Sequence, residues 1–382
     1  MKRILSSLSF GLVVFLLLTH CSEKDKSENT ASDGNIDIIA YYAGDSSTFK
    51  KYPTEQLTHI IYSFLFLKGN QIVFDKPEDS LTVASLVKLK KRENASLKII
   101  LSIGGWGSCE TCSEVFSTEK GRNEFAQSVK AILVRTHTDG IDLDWEYPAI
   151  IGYPGHRFVP EDKHNFTLLV QTLRKTLGDQ YEISFAAGGY TEYLEKSIEW
   201  NEVMPLVNRV NLMSYDLTNG YSVTTGHHTP LYSTPKQLES TDHGVRYLDS
   251  IGVPLNKIVI GTAFYARIFN QVDSMNNGLY QSCKFKTSID FKDFKDSLQD
   301  FAYYWDSIAK APYAYNAAKK EFATFDNKES IAAKVTYVKE KQLGGIMFWQ
   351  LAGDKPHAGL LETIYRVNRP EPLSSPSAPI GQ

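Results

Sequence analysis

Eight short apolar runs recur along the chain, at 36–43, 59–67, 97–103, 140–145, 181–187, 210–215, 258–265 and 345–351. They are rich in Ile, Val, Leu and Phe and lack strict polar alternation, as strands buried on both faces do. Amphipathic helical stretches fall between them at 80–93, 120–137, 160–177, 197–207, 234–251 and 328–341. Strands that alternate with helices call for a parallel sheet, and eight such units close most naturally into an α/β fold, the (β/α)8 TIM barrel. An open doubly wound sheet is the rival. It would want a glycine-rich phosphate turn after the first strand, and the sequence after 36–43 has none.

One segment breaks the rhythm. From 268 to 324 no simple helix leads to the eighth run. Asn276-Asn277-Gly278 turns and aromatic strand-like pieces, Tyr303-Tyr304-Trp305 and Pro312-Tyr313-Ala314-Tyr315, stand there instead. They predict a small α+β insertion on the loop after strand 7, at the end of the barrel where active sites lie. The barrel itself is expected over 36–267 and 325–368. Residues 369–382 are rich in Pro and Ser and read as a disordered tail. At the other end, Lys2 and Arg3 precede an apolar run over 4–19, the pattern of an export signal and short of the ~20 residues a membrane span prefers. Leu18-Thr19-His20-Cys21 looks like a bacterial lipoprotein cleavage site, although His20 stands where a small residue is usual. Residues 1–21 are therefore read as a signal segment, with Cys21 as a lipid anchor, and the polar stretch 22–35 as a flexible tether. An exported lipoprotein at the outer membrane or cell surface is expected, with free secretion as the alternative.

The fourth run carries the chemistry. It reads Asp139-Gly140-Ile141-Asp142-Leu143-Asp144-Trp145-Glu146-Tyr147-Pro148. On a strand, alternate side chains share a face, so Asp142, Asp144 and Glu146 line up on one side and Ile141, Leu143 and Trp145 on the other. Asp139 has the opposite parity. Carboxylates about 6.6 Å apart along a strand cannot all ionise cheaply in a low-dielectric site; they titrate as a coupled set and at least one pKa rises. That is a physical route to a general acid that is still protonated near neutral pH. An acidic edge strand would not carry three acids opposite Ile, Leu and Trp, and a divalent-cation site would draw on a loop with Asn, Gly and carbonyl oxygens.

Charge and cysteines narrow the rest. A formal net charge of −3 with no basic stripe gives no nucleic-acid footprint. Aromatics are abundant, with 21 Tyr, 20 Phe and 5 Trp, which suits both a core and a cleft for flat sugar faces. Four cysteines are too few for a disulfide scaffold. Cys109 and Cys112 form a lone C-x-x-C, and either they bridge each other or one of them pairs with Cys283. His227 and His228 have no acid or Cys spacing around them and read as a solvated loop. No metal and no cofactor are expected.

With these residues in view, the chain resembles glycoside hydrolase family 18, the bacterial-type chitinases, over nearly all of 36–368. The acidic run matches that family's D-x-x-D-x-D-x-E signature at every position. Further matches follow in order: Ser102-Ile103-Gly104-Gly105-Trp106, Met213-Ser214-Tyr215-Asp216, Phe264-Tyr265-Ala266-Arg267 and Trp349. Tyr153-Pro154-Gly155 and the run from Arg157 through Pro160-Glu161-Asp162-Lys163 to Asn165-Phe166 also read like chitinase sequence.

The resemblance implies chitin or chito-oligosaccharide as substrate and a substrate-assisted retaining mechanism, the exception to the usual pair of carboxylates flanking the bond. It makes Glu146 the acid, Asp144 and Asp142 its tuners, and Tyr215 the group that orients the substrate acetamide. It implies a substrate-binding set of Tyr41, Phe64, Ser102, Gly105, Trp106, Tyr147, Met213, Asp216, Tyr265, Arg267 and Trp349. In that set Tyr41 and Ser102 support Asp142, and Trp349 is the floor under the distorted sugar. It also implies cis peptide bonds after Ser63, Glu146 and Trp349. The alternatives are an endo-β-N-acetylglucosaminidase acting on N-glycans and a non-catalytic chito-oligosaccharide-binding protein. A monomer is expected.

Overall fold

The computed structural model describes residues 35–369; the signal, Cys21 and tail readings lie outside them. Fourteen strands are present: β1 (Asp37–Tyr42), β2 (His59–Lys68), β3 (Gln71–Val73), β4 (Lys98–Gly104), β5 (Gly140–Asp144), β6 (Glu182–Gly188), β7 (Arg209–Met213), β8 (Ile258–Ala263), β9 (Tyr265–Asn270), β10 (Lys284–Asp290), β11 (Ala302–Asp306), β12 (Ala311–Asn316), β13 (Glu321–Thr324) and β14 (Gly345–Trp349). Eight of them are parallel neighbours in the order β1-β14-β8-β7-β6-β5-β4-β2, and β2 returns to β1, so the sheet is a closed barrel. Helices lie between the strands, the (β/α)8 arrangement. β3 only extends β2 as an antiparallel hairpin.

The lack of alternation in the strands has a simple cause: both faces are buried. Ile39, Ile61, Ile100, Ala186, Val259 and Met347 pack together in the barrel lumen. The intervening residues, such as Ile38, Ala40, Ile60, Ile141, Leu143 and Ile260, join the larger core between strands and helices. On β5 this parity puts Ile141 and Leu143 against the helices and sends Asp142 and Asp144 into the lumen. Trp145 packs outward on Phe116 and Phe166. Asp139, at the foot of the strand, pairs with Lys90 at 2.5 Å and accepts the Ile99 N–H.

Some helices differ from their sequence reading. Within 197–207 only Trp200–Val203 is helical, and a second short helix, Thr191–Lys196, precedes the stretch. The stretch 234–251 is helical only over Thr241–Ser250. Thr234 precedes Pro235, which disfavours the helical region, and Ser240 accepts the His243 N–H as the true N-cap. The helix Pro77–Glu93 starts three residues early because its proline fits the first turn.

The run 258–265 divides at Phe264. Beyond it, β9 opens a separate antiparallel sheet, ordered β10-β9-β13-β12-β11. The aromatic pieces pair as Tyr303 with Ala314, Tyr304 with Tyr313 and Trp305 with Pro312. Cys109 and Cys112 are bridged to each other, and Cys283 is buried and free.

Candidate active site

The acid row rises from the lumen to the barrel mouth, and each carboxyl meets a different environment. Asp142 is fully buried and saturated with donors. Its Oδ2 accepts the Tyr41 and Ser102 hydroxyls, both at 3.0 Å. Its Oδ1 accepts Ser184 Oγ at 2.6 Å and Asn211 Nδ2 at 3.1 Å. Burial pushes its pKa up, and the Ser184, Ser102 and Tyr41 hydroxyls pull against that shift. Asp144, one step higher, is 4% exposed, and its Oδ1 has no hydrogen-bond partner among the described residues. Burial, then the charges of Glu146 and Asp142, drive its pKa well above the carboxylate range. Glu146 lies just past the strand end. Burial lifts it to about 7; a Tyr147 hydrogen bond opposes the shift and the Asp216 charge adds to it. Burial and mutual repulsion thus favour a shared proton in the row near neutral pH, where no cation is paired with any of the three acids.

The loops at the same end complete the mouth. The Gly105 N–H donates to the Asp144 carbonyl at 2.8 Å, which ties the end of β4 to the end of β5. A side chain at Gly105 would strike the Phe64 ring, with its Cβ 2.4 Å away. Phe64 stacks on Trp349 at 5.5 Å between ring centroids, and Tyr41 meets the same indole at 6.0 Å. The peptide bonds after Ser63, Glu146 and Trp349 are all cis. Tyr147, Tyr215 and Trp349 border the lumen cluster that contains Tyr41 and Met213. Tyr265 packs edge-on against Tyr215. Arg267 Nε and Nη2 donate to the two oxygens of Asp216 at 2.7 and 2.5 Å. Burial alone would raise Asp216, but the His228 ring and the Arg267 guanidinium beside it prevail, and its carboxyl sits well below the usual range. Trp106 is 45% exposed beside Tyr147.

The sequence-predicted residues thus converge at one end of the barrel. Tyr41 and Ser102 are buried with their hydroxyls on Asp142, beneath the cleft. The reading of His227 and His228 as a solvated loop is overturned. Both are fully buried. His227 Nε2 lies 3.0 Å from Asp306 Oδ2, and His228 Nδ1 lies 3.5 Å from Asp216 Oδ1. The insertion sheet covers the loop that carries them, a tertiary contact that no local pattern announces. Four further residues were not foreseen. Ser184 and Asn211 hold Asp142. Tyr190 and Tyr193 pack edge-on against Tyr147 at 5.8 and 5.4 Å. For Ser184 and Asn211 a signal existed: each is a polar residue in the middle of a barrel strand whose charged residue stands at its first position.

Comparison with known proteins follows the same line. The family model described as glycosyl hydrolases family 18 matches residues 37–354. Chitinase A1 of Niallia circulans is 34% identical over 293 residues, which span 69% of this chain and 42% of that relative's length. Among solved structures, chitinase ChiA74 from Bacillus thuringiensis is 27% identical with a TM-score of 0.81, covering 87% of this chain and 70% of that one. A family 18 N-acetylglucosaminidase from Paenibacillus barengoltzii is 35% identical with a TM-score of 0.79, covering 87% and 100%.

Proposed function

The chain belongs to glycosyl hydrolase family 18 and is a glycoside hydrolase, and from that premise we propose that it is a chitinase, cleaving β-1,4-linked N-acetylglucosamine by a substrate-assisted retaining mechanism. The observation that carries this reading is the unequal state of the acid row. Glu146, held near 7, is a proton donor at neutral pH, and Asp144 keeps a buried oxygen without a partner beside it. Asp216 is the nearby ionised carboxylate, and Arg267 engages both of its oxygens, which blunts it as a nucleophile. The substrate must then supply its own.

In the first step the acetamido oxygen attacks the anomeric carbon, the glycosidic C–O bond breaks, and the Glu146 proton passes to the leaving oxygen. The product is an oxazolinium ion and a Glu146 carboxylate. In the second step Glu146 takes a proton from water, the water oxygen bonds to the anomeric carbon, and the acetamide is restored. Two displacements return the original β configuration. Asp144 accepts the acetamido N–H and offsets the positive charge of the ring. Its proton moves to Asp142, whose own affinity for a proton burial raises in spite of its hydroxyl donors. The Tyr215 hydroxyl orients the acetamido oxygen, and Trp349 with Phe64 supplies the apolar floor. Trp106, Tyr147, Met213, Tyr265 and Arg267 line the cleft, and the insertion forms one wall. Chain export, lipidation at Cys21 and a monomeric state belong to the same proposal; mass spectrometry of the mature N-terminus tests the lipid.

The test is a product profile on chitin hexaose with early anomers read by NMR. Short β-anomeric N-acetylglucosamine oligomers are expected, lost in Glu146→Gln. A first product in the α form would refute the mechanism. Tight binding of the hexaose with no turnover by the parent would refute the enzyme reading.

A further inference from the structure

His228 has no place in the reaction above, yet it is fully buried directly behind a cleft residue. The loop that carries it is pinned on three sides. The Leu217 N–H donates to the His228 carbonyl at 3.0 Å, which clasps the loop to the residue after Asp216. The His228 N–H donates to Thr324 Oγ1 on β13 at 3.0 Å. Next door, Thr229 Oγ1 donates to the Ser214 carbonyl and in turn receives a hydrogen bond from Lys334 Nζ. The backbone behind the ring is thus held in place, and the ring itself is fully buried.

Those neighbours are few. Asp216 faces it from the loop after β7. From β9 the Tyr265 ring packs at 5.3 Å, and Arg267 adds a positive charge that reaches it through Asp216. From the segment after β13, Asp326 contributes a negative charge, itself neutralised by the buried Lys334 ammonium. Neither ring nitrogen makes a full hydrogen bond within the described residues, and the nearest polar contact is Nδ1 to Asp216 Oδ1 at 3.5 Å. A buried imidazole with nothing to donate to or accept from is costly to keep. Burial holds it neutral by lowering its pKa, with Asp216 pulling the other way.

A proton changes the geometry it prefers. A neutral ring leaves both oxygens of Asp216 to Arg267 and to the cleft. An imidazolium, 3.5 Å away, would compete with Arg267 for the Asp216 carboxylate.

We propose that His228 is a positioning residue that ties substrate affinity to pH: neutral, it leaves Asp216 turned to the cleft, and protonated, it draws that carboxylate back out of reach of the sugar. This rests on the reading that Asp216 binds substrate. The larger consequence falls on KM, through the sugar contact read for Asp216; a smaller one falls on kcat, since the Asp216 charge also raises Glu146. Protonation of the Asp142–Asp144 pair falls on kcat alone, so the KM change marks the His228 event.

The experiment measures kcat and KM separately on a nitrophenyl chitobioside for the full chain, His228→Asn and His228→Gln. The parent's KM should rise about tenfold as pH falls below the ordinary histidine range of about 6.5, since burial lowers the His228 ring from it. In either variant KM should stay flat over the same fall. An NMR titration of the His228 ring in the parent should show its step at the same pH as the KM change. That comparison stands even if neither variant folds. His227→Asn, whose ring faces Asp306, should keep the parent's KM slope. A parent KM that is flat with pH, variants that keep its slope, or a ring titration far from the KM step would each overturn the inference. Asp216→Asn measured near pH 7 separates the underlying reading. An unchanged KM there removes Asp216 from the substrate, and His228 with it; a raised KM with no His228 effect discards His228 alone.

Discussion

Glu182 and Glu146 are both carboxylates in the interior of one barrel, about one strand apart, and they end on opposite sides of their ordinary pKa. Glu182 opens β6 at the foot. Its Oε2 accepts Arg209 Nη2 at 2.5 Å and lies 3.2 Å from His59 Nε2. Burial pushes it up, yet His59 and the Arg209 guanidinium overcome that and hold it at about 2. Glu146 at the mouth is likewise half-buried, has no cation beside it, and sits at about 7. Burial acts in the same direction on both. The difference is the His59 ring and the Arg209 guanidinium, present at the foot and without a counterpart beside the row at the mouth. The foot is built as a permanent ion pair and the mouth as a set of acids that can trade protons, in keeping with the division of TIM barrels into a stability face and a catalytic face.

The sharpest way to break this contrast is Glu146→Gln. Turnover should fall by about 10³-fold, the scale of a lost general acid and base. The variant should melt no lower than the parent; a clear drop in Tm would make Glu146 structural. Asp144→Asn should follow, with kcat reduced on the order of 10²-fold through lost charge stabilisation and folding unharmed. If its kcat stays within a few-fold, the partnerless Asp144 oxygen has no role in the reaction. At the foot, Glu182→Gln should do the converse. Unfolding in denaturant should reveal a loss of about 3 kcal/mol from a buried guanidinium stripped of its partner, with kcat/KM nearly intact. Loss of activity without loss of stability would erase the division between the two ends.

The smallest effect is in the pH dependence of stability, and it has opposite signs at the two ends. Glu182 is depressed in the fold, so its contribution is complete above its unfolded value and drains away as pH falls toward about 2. Glu146 is raised in the fold, so the native state binds its proton more tightly than the unfolded chain does. Its contribution is complete below the unfolded value and is lost as pH rises through about 7. Thermal melts should therefore show Glu146→Gln gaining on the parent above pH 7, by roughly 2 °C or more. A parallel pair of curves from pH 4 to pH 8 would mean that Glu146 is not raised.

Much of this contrast was legible in the sequence, for identifiable reasons. The acid row is a local string, so its parity on β5 follows from strand geometry alone. The barrel follows from runs buried on both faces. The glycine-bearing turn at Gly104 and Gly105 and the motifs around Tyr215 and Arg267 are likewise short and contiguous. What escaped depends on register between distant strands. Ser184 pairs with Asp142 across β5 and β6, and Asn211 reaches it from one strand further on. The foot cluster joins His59, Glu182 and Arg209 from β2, β6 and β7. His228 escaped for a different reason: polar residues in a loop without periodicity look solvated until a sheet from 265–324 is laid over them.

The central claim is that the nucleophile belongs to the substrate. It is tested most directly by a series of nitrophenyl chitobiosides in which the reacting sugar carries acetyl, fluoroacetyl, difluoroacetyl or trifluoroacetyl on its nitrogen. Fluorine drains the carbonyl oxygen of nucleophilicity while leaving the ring and the leaving group as they were. The account predicts that kcat falls steeply at each step, by about 10²-fold or more across the series, since lost attack by that oxygen raises the barrier directly. A kcat that stays level along the series would mean that a protein carboxylate, with Asp216 the first suspect, attacks the sugar instead.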